Sequence, residues 1–265
     1  MITQRRNILW SLLLAPVLAF GWVAQPRAQD SHLQRILQSG ELRVGTTGDF
    51  NPMSFKDPAT NDYAGYDIDT VRQFASDMGV SLVFVPTDWK TLVSGIQADK
   101  YDLTTSASLS MDRAKVAGFS DPYVEFSTVP MTRAADAGRF DGWESLDDPA
   151  VTIAVTLGTV FEQQARQYFQ KAQIVTVEAP AREYQEVLAG RADASVTSNV
   201  DAAQLVATYP ELAVVPVDRP RSRRPGAFLL PQDDQVWINY VNHWIRLRHA
   251  SGFFEELQKK WNLSR

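Results

Sequence analysis

The sequence predicts an α/β protein of two small lobes, each a mainly parallel sheet flanked by helices, with a ligand cleft between them. Two observations predict it. A strand–helix–strand–helix–strand pattern runs through residues 42–105 and returns at 151–197. The segments richest in hydroxyls, glycine and charge follow the carboxyl ends of those strands, where open α/β sheets bind ligands.

The first block opens with a short apolar strand at 42–46 (LRVGT). Residues 67–78 carry Ile68, Val71, Phe74, Ala75 and Met78 at helical spacing. A strand at 82–86, a helix over 89–98 and a strand starting at Asp102 follow. The second block has strands at 151–155, 174–177 and 194–197, with helices over 161–171 and 182–189 between them. Asp233 or Asp234 is the expected N-cap of a last helix, striped by Trp237, Val241, Trp244 and Ile245 and interrupted at Ser251-Gly252. That stripe reads as core. Residues 133–148 and the proline-interrupted, basic 218–226 read as surface or connecting segments. Arg219, Arg221, Arg223 and Arg224 are either a solvated loop or a source of positive potential at the cleft mouth.

Residues 1–28 are expected to be a cleavable signal peptide. Arg5-Arg6 is a basic start, and an apolar run too short to span a bilayer follows. The arginine pair also suggests twin-arginine export. Removing the segment takes three arginines and no acid, so the net charge of −5 becomes −8. That balance argues against a nucleic-acid partner. The chain has no cysteine, hence no disulfide, thiolate metal site or acylated lipid anchor, and a freely diffusing periplasmic protein is expected.

Nucleotide-binding and serine-hydrolase motifs are absent. His32, His243 and His249 do not have metal-ligand spacing, and neither a metal nor a cofactor is expected. The chemistry gathers instead in residues 102–123 (DLTTSASLSMDRAKVAGFSDPY). Thr105, Ser106 and Ser108 stand near a single arginine, Arg113. Hydroxyls beside a planar guanidinium make a carboxylate receptor.

Six segments, in order, resemble the periplasmic amino-acid-type solute-binding proteins, family 3. They are residues 41–52, 65–69, 106–123, 157–159, 190–193 and the strand ending at Thr197. The resemblance implies the two-lobed periplasmic-binding-protein fold, type II, closing around two hinge strands. Lobe 1 is then 31–126 plus 223–265, and lobe 2 is 127–222. It implies a monomer that hands a small carboxylate ligand to the membrane permease of an ABC importer. Carried over by position, Phe50 covers one face of the ligand, and Thr105, Ser106 and Ser108 hydrogen-bond to it. Arg113 clamps its carboxylate. Thr159, with Leu157, Val160 and Phe161 around it, completes the anion site at a helix N-terminus. Trp89 is either a wall of the pocket or core, and Asp67 and Asp69 are expected to cap a helix.

Two departures qualify the resemblance. Amino-acid binders usually hold the ligand ammonium with an aspartate where this chain has Ser198, and Thr47 also replaces an expected acid. A buried ammonium without a counter-charge is costly, so a carboxylate without an amine, such as a keto acid, is the preferred ligand over a polar amino acid. Asp49 or Glu162 could substitute for the missing acid. The second departure is that residues 42–55 look closer to exported cyclohexadienyl dehydratases, which turn prephenate or arogenate into phenylpyruvate or phenylalanine. Those enzymes resemble Gly-Gly-Thr-Asn-Glu where this chain reads Leu157-Gly-Thr-Val-Phe-Glu162. Phe161 is read there as replacing the asparagine and Leu157 a glycine, with Glu162 kept as a candidate general acid. Its alternative role is a first-turn acid favoured by the helix dipole. A binding protein is the preferred reading and the dehydratase is the alternative.

Overall fold

One ten-stranded sheet runs through the molecule, a computed structural model that describes residues 31–263. The expected signal peptide lies outside the described residues. On one side of the sheet's middle, Leu103–Ser108 and Ser81–Pro86 flank Glu41–Thr46 and run parallel to it. On the other side, Ala194–Ser198 and Gln173–Val177 flank Thr152–Thr156, again in parallel. Each trio has its first strand in the centre, so the pattern that repeats in the sequence also repeats in space.

Two ten-residue strands, Val124–Arg133 and Arg221–Leu230, join the trios. They cross antiparallel, pairing Val124 with Gly226 and Thr128 with Arg221, with an irregular register between Arg221 and Arg224. Beyond the crossing, Arg221–Leu230 pairs with Leu103–Ser108 and Val124–Arg133 pairs with Ala194–Ser198. Residues 221–226, expected as a connection, are thus part of a central strand. Arginines and prolines hide its alternation. Pro225 sits beside the irregular crossing, where a missing N–H is tolerated.

Phe74, Trp237, Trp244, Phe228 and Phe254 build the core of the first lobe. The helix Gln235–Ala250 lies against it, capped by Asp234, whose carboxylate accepts the Trp237 N–H at 2.9 Å. Gly252, at φ 77°, allows the break before Phe253–Lys260. In the second lobe, Phe140, Trp143 and Leu146 tuck into the core. Residues 133–148 are therefore not the purely surface segment their polarity suggests; three spaced apolar side chains anchor it.

The helix Tyr66–Met78 begins after Gly65 with no side-chain cap. Asp67 does not cap it: the side chain is fully buried and accepts a hydrogen bond from the Tyr123 hydroxyl at 2.7 Å. That hydroxyl accepts the Ser106 backbone N–H at 2.9 Å, so Asp67 anchors the strand that carries Ser106 and Ser108. Asp69 instead accepts from Trp261 and Lys260, tying the C-terminal helix down.

Burial pushes the Asp67 carboxyl up to about 6, against the opposing pull of the Ser106, Tyr123 and Thr105 hydroxyls. A carboxyl whose folded pKa is raised binds its proton more tightly in the native state. It therefore contributes stability below the unfolded value that is lost as pH rises towards 6. Asp67→Asn keeps an acceptor for Tyr123 and removes the titration. In urea unfolding, the stability of the wild type relative to this variant should fall by about 2 kcal/mol between pH 4 and pH 7. A pH-independent difference would show that Asp67 is ionised throughout.

Candidate functional site

The carboxyl ends of both strand trios face one cleft, and the residues that follow them form its walls. On the first lobe, Ser106 and Ser108 line the cavity from the end of Leu103–Ser108. Ser106 sits at φ 49°, a left-handed conformation held by the Tyr123 contact. The Ser110 hydroxyl then accepts the Arg113 N–H at 3.3 Å and starts the single turn Met111–Ala114, which returns the Arg113 side chain to the cleft. Trp89 and Phe50 meet edge to face at 5.8 Å, and Phe126 packs on Phe50 at 5.6 Å. The Trp89 indole N–H donates to the Asp49 carboxylate at 3.0 Å.

On the second lobe, Thr159 caps the helix Val160–Tyr168, accepting the Glu162 N–H at 3.4 Å. Val160 and Phe161, in its first turn, line the cavity with Thr156 and Val196. Arg182, Glu183, Thr197 and Asp201 complete the wall. The space between these walls, open to solvent at its mouth and including part of that solvent, is about 480 Å³.

The two guanidinium groups of this cleft differ sharply. Arg113 bonds only to backbone carbonyls, those of Ser108 at 3.3 Å and Gly158 at 3.2 Å. It has no carboxylate partner among the described residues. Burial and then the nearby charge of Arg224 pull its pKa down to about 10. Arg182 is saturated: it pairs with Glu183 at 3.1 Å, Asp201 at 3.1 Å and Asp49 at 3.3 Å, and also donates to the Asp49 carbonyl. Burial would lower its pKa, but the charges of Glu183, Asp201 and Asp49 outweigh that and hold it well above the ordinary value. Burial raises Asp201 to about 6, although Arg182 opposes it. Glu183 is held below its usual range because Arg182 and the Thr156 hydroxyl outweigh the effect of burial.

Of the positions singled out in the sequence, Phe50, Trp89, Ser106, Ser108, Arg113, Thr159, Val160 and Phe161 stand around this cavity. Thr105, Leu157 and Ser198 do not line it. Thr105 is one residue out of phase with Ser106 and Ser108 on a pleated strand. The Leu157 N–H is bonded to the Val177 carbonyl. Ser198 is fully buried, its hydroxyl spent on capping the helix Asn199–Thr208 through the Asp201 N–H at 3.1 Å.

Glu162 also lies off the wall. Its carboxylate accepts the Gly158 N–H at 3.0 Å and pairs with Arg166 at 3.1 Å. Counted from the shared Gly158-Thr159, the glutamate of the dehydratase pattern falls on Phe161, which faces the cleft, and not on Glu162. The carboxylates that do line the cavity, Glu183 and Asp201, were missed. The available signal was position: each follows the carboxyl end of a second-lobe strand. His32, Asp99 and Asp102 bring ligand atoms within 4.8 Å of one another, but Arg35 and Arg43 already pair with these acids.

Two lobes with facing strand ends, a cleft between them and an unpaired guanidinium inside define a solute-binding protein architecture. Residues 42–264 match the bacterial extracellular solute-binding proteins, family 3, and the chain belongs to that family. It is 34% identical to the cyclohexadienyl dehydratase of Pseudomonas aeruginosa, over 97% of this chain and 94% of that protein. It is 26% identical to the L-cystine-binding protein TcyJ of Escherichia coli, over 94% and 92% of the two chains. The crystal structure of the ancestral amino acid-binding protein AncCDT-1, a precursor of cyclohexadienyl dehydratase, superposes with a TM-score of 0.81 at 37% identity. That match covers 87% of this chain and 99% of the other.

Gly158 marks where the lobes touch. It sits at φ 81°, and a Cβ there would stand 2.6 Å from the Lys90 Cα across the cleft. Gly158→Ala should leave each lobe folded but hinder closure. Small-angle scattering with saturating ligand should show the variant remaining more extended than the wild type. Identical compaction would show that Gly158 does not limit closure.

Proposed function

We propose that this chain is a periplasmic solute-binding protein that captures a small carboxylate-bearing solute for the membrane permease of an ABC importer. The lobes are taken as residues 31–126 with 223–265, and 127–222. The observation that carries the reading is Arg113. A guanidinium shut inside a cleft, bonded only to carbonyl oxygens and facing serine and threonine hydroxyls, is an incomplete ion pair. A ligand carboxylate completes it through two parallel charge-assisted hydrogen bonds. Closure over the ligand buries that pair between Phe50, Trp89 and Phe161, excluding water and strengthening the attraction. Membership of the extracellular solute-binding family supports capture and delivery.

The similarity to a cyclohexadienyl dehydratase favours a second reading, in which the cleft turns over prephenate or arogenate. Arg113 would then clamp a carboxylate while an acid protonates the departing hydroxyl. Glu162 is turned away from the cavity and Phe161 occupies the position facing it. The acid available inside is Asp201, raised to about 6 by burial. Its bonds to Arg182 and Thr197 hold it on the wall, and the binding reading fits this geometry better.

Two measurements test these readings. Arg113→Ala should weaken binding of the best carboxylate, chosen from a thermal-shift panel of amino acids, oxo acids and dicarboxylates, by about 100-fold in calorimetry. Unchanged affinity would remove Arg113 from the site. Incubation with prephenate should yield no phenylpyruvate above the uncatalysed background. Turnover that disappears in Asp201→Asn would replace the binding reading with the enzymatic one.

A further inference from the structure

The second wall of the cleft contains what the sequence lacks at Ser198, the buried acids Glu183 and Asp201, and a third acid reaches them from the first lobe. Asp49, Glu183 and Asp201 converge on one point, and a positive charge already occupies it. All three guanidinium nitrogens of Arg182 are engaged there: Nε with Glu183, one terminal nitrogen with Glu183 and Asp201, the other with Asp49. The acids are equally committed. Asp49 also accepts from Trp89, Glu183 from Thr156, and Asp201 from Thr197 at 2.8 Å. Four of the five Arg182 N–H groups are hydrogen-bonded and its remaining terminal N–H lies beside the Asp49 carboxylate, so its charge is already balanced within the wall. It lines the same cavity as Arg113, which has no carboxylate partner among the described residues.

We propose that Arg182 is a resident cation that fills the ammonium position of the cleft and selects carboxylates that carry no amine. This rests on the reading of the cleft as a carboxylate-binding site and names its ligand class. The rest of the wall defines the body of that ligand. Phe50, Trp89, Phe126 and Phe161 present aromatic faces, and the serine and threonine hydroxyls suit a neutral oxygen beside the carboxylate. The ligand is a 2-oxo or 2-hydroxy acid with an apolar side chain. An α-amino acid of the same shape would bring an ammonium group into a pocket whose acids are already paired, and it would have to break a buried Arg182 bond to be satisfied. The arginine also bridges the lobes, because Asp49 belongs to the first-lobe wall and Arg182 to the second, so the closed cleft itself positions the resident charge.

Matched pairs that differ only in the amine test this directly. The pairs are pyruvate and alanine, 4-methyl-2-oxopentanoate and leucine, and phenylpyruvate and phenylalanine, titrated calorimetrically into wild type, Arg182→Ala and Arg182→Lys. The wild type should bind the oxo member of its best pair at least tenfold more tightly. Arg182→Ala leaves the acids unpaired and should reverse the preference, whereas Arg182→Lys should keep the wild-type order. A wild type that binds the amino member as well as or better than the oxo member overturns the proposal, whether or not Arg182→Ala folds. A folded Arg182→Ala with an unchanged ratio overturns it while leaving the carboxylate site intact. If the wild type binds no member of any pair, this inference fails; the function it rests on fails only if the wider carboxylate panel also yields no ligand.

Discussion

The antiparallel crossing of Val124–Arg133 and Arg221–Leu230 is the constraint on which the rest depends. Each strand is built into one trio at one end and reaches the other trio through the crossing. Because every other strand of a trio runs parallel, each trio has a single edge of carboxyl ends. The crossing turns those two edges towards each other. Hydroxyls, helix N-termini and charged side chains that would decorate two separate lobes therefore converge on one cavity.

Inside that cavity, charge is divided unevenly. Arg113 is left without a counter-ion, whereas Arg182 has three. Buried ions are stable only when paired, so the first arginine is electrostatically unsatisfied and the second is satisfied. The same residue type, lining the same cleft, is in opposite electrostatic states because one stands among carbonyls and the other among carboxylates. Asp67 extends this division beneath the floor. Its contact with Tyr123, and through it with Ser106, holds the receptor strand in an otherwise unfavourable backbone conformation.

Much of this was legible in the chain. Periodicity located both trios and the helices between them, since buried strands and amphipathic helices must place apolar residues at fixed intervals. The cluster of Ser106, Ser108 and Arg113 was legible as chemistry, and six ordered segments led to the family. The crossing strand Arg221–Leu230 was not legible by pattern. Its arginines are accommodated by stacking on Trp143 and Tyr168 and by pairing with Glu144 and Glu125, contacts that come from distant parts of the sequence.

Sequence alone determined the class of protein, the order of its elements and the gathering of hydroxyls near a single arginine, because these depend on local spacing and residue type. Only the tertiary structure decided which acids face the cleft. Ser198 holds a position that a linear comparison assigns to the site and Glu162 is the acid the sequence offers beside it, yet both are consumed by helix-end hydrogen bonds. Glu183 and Asp201, eighteen residues apart, and Asp49 on the other lobe meet at Arg182. Whether an acid is a vacant receptor or half of an ion pair depends on its neighbours in space, and spacing along the chain does not encode them.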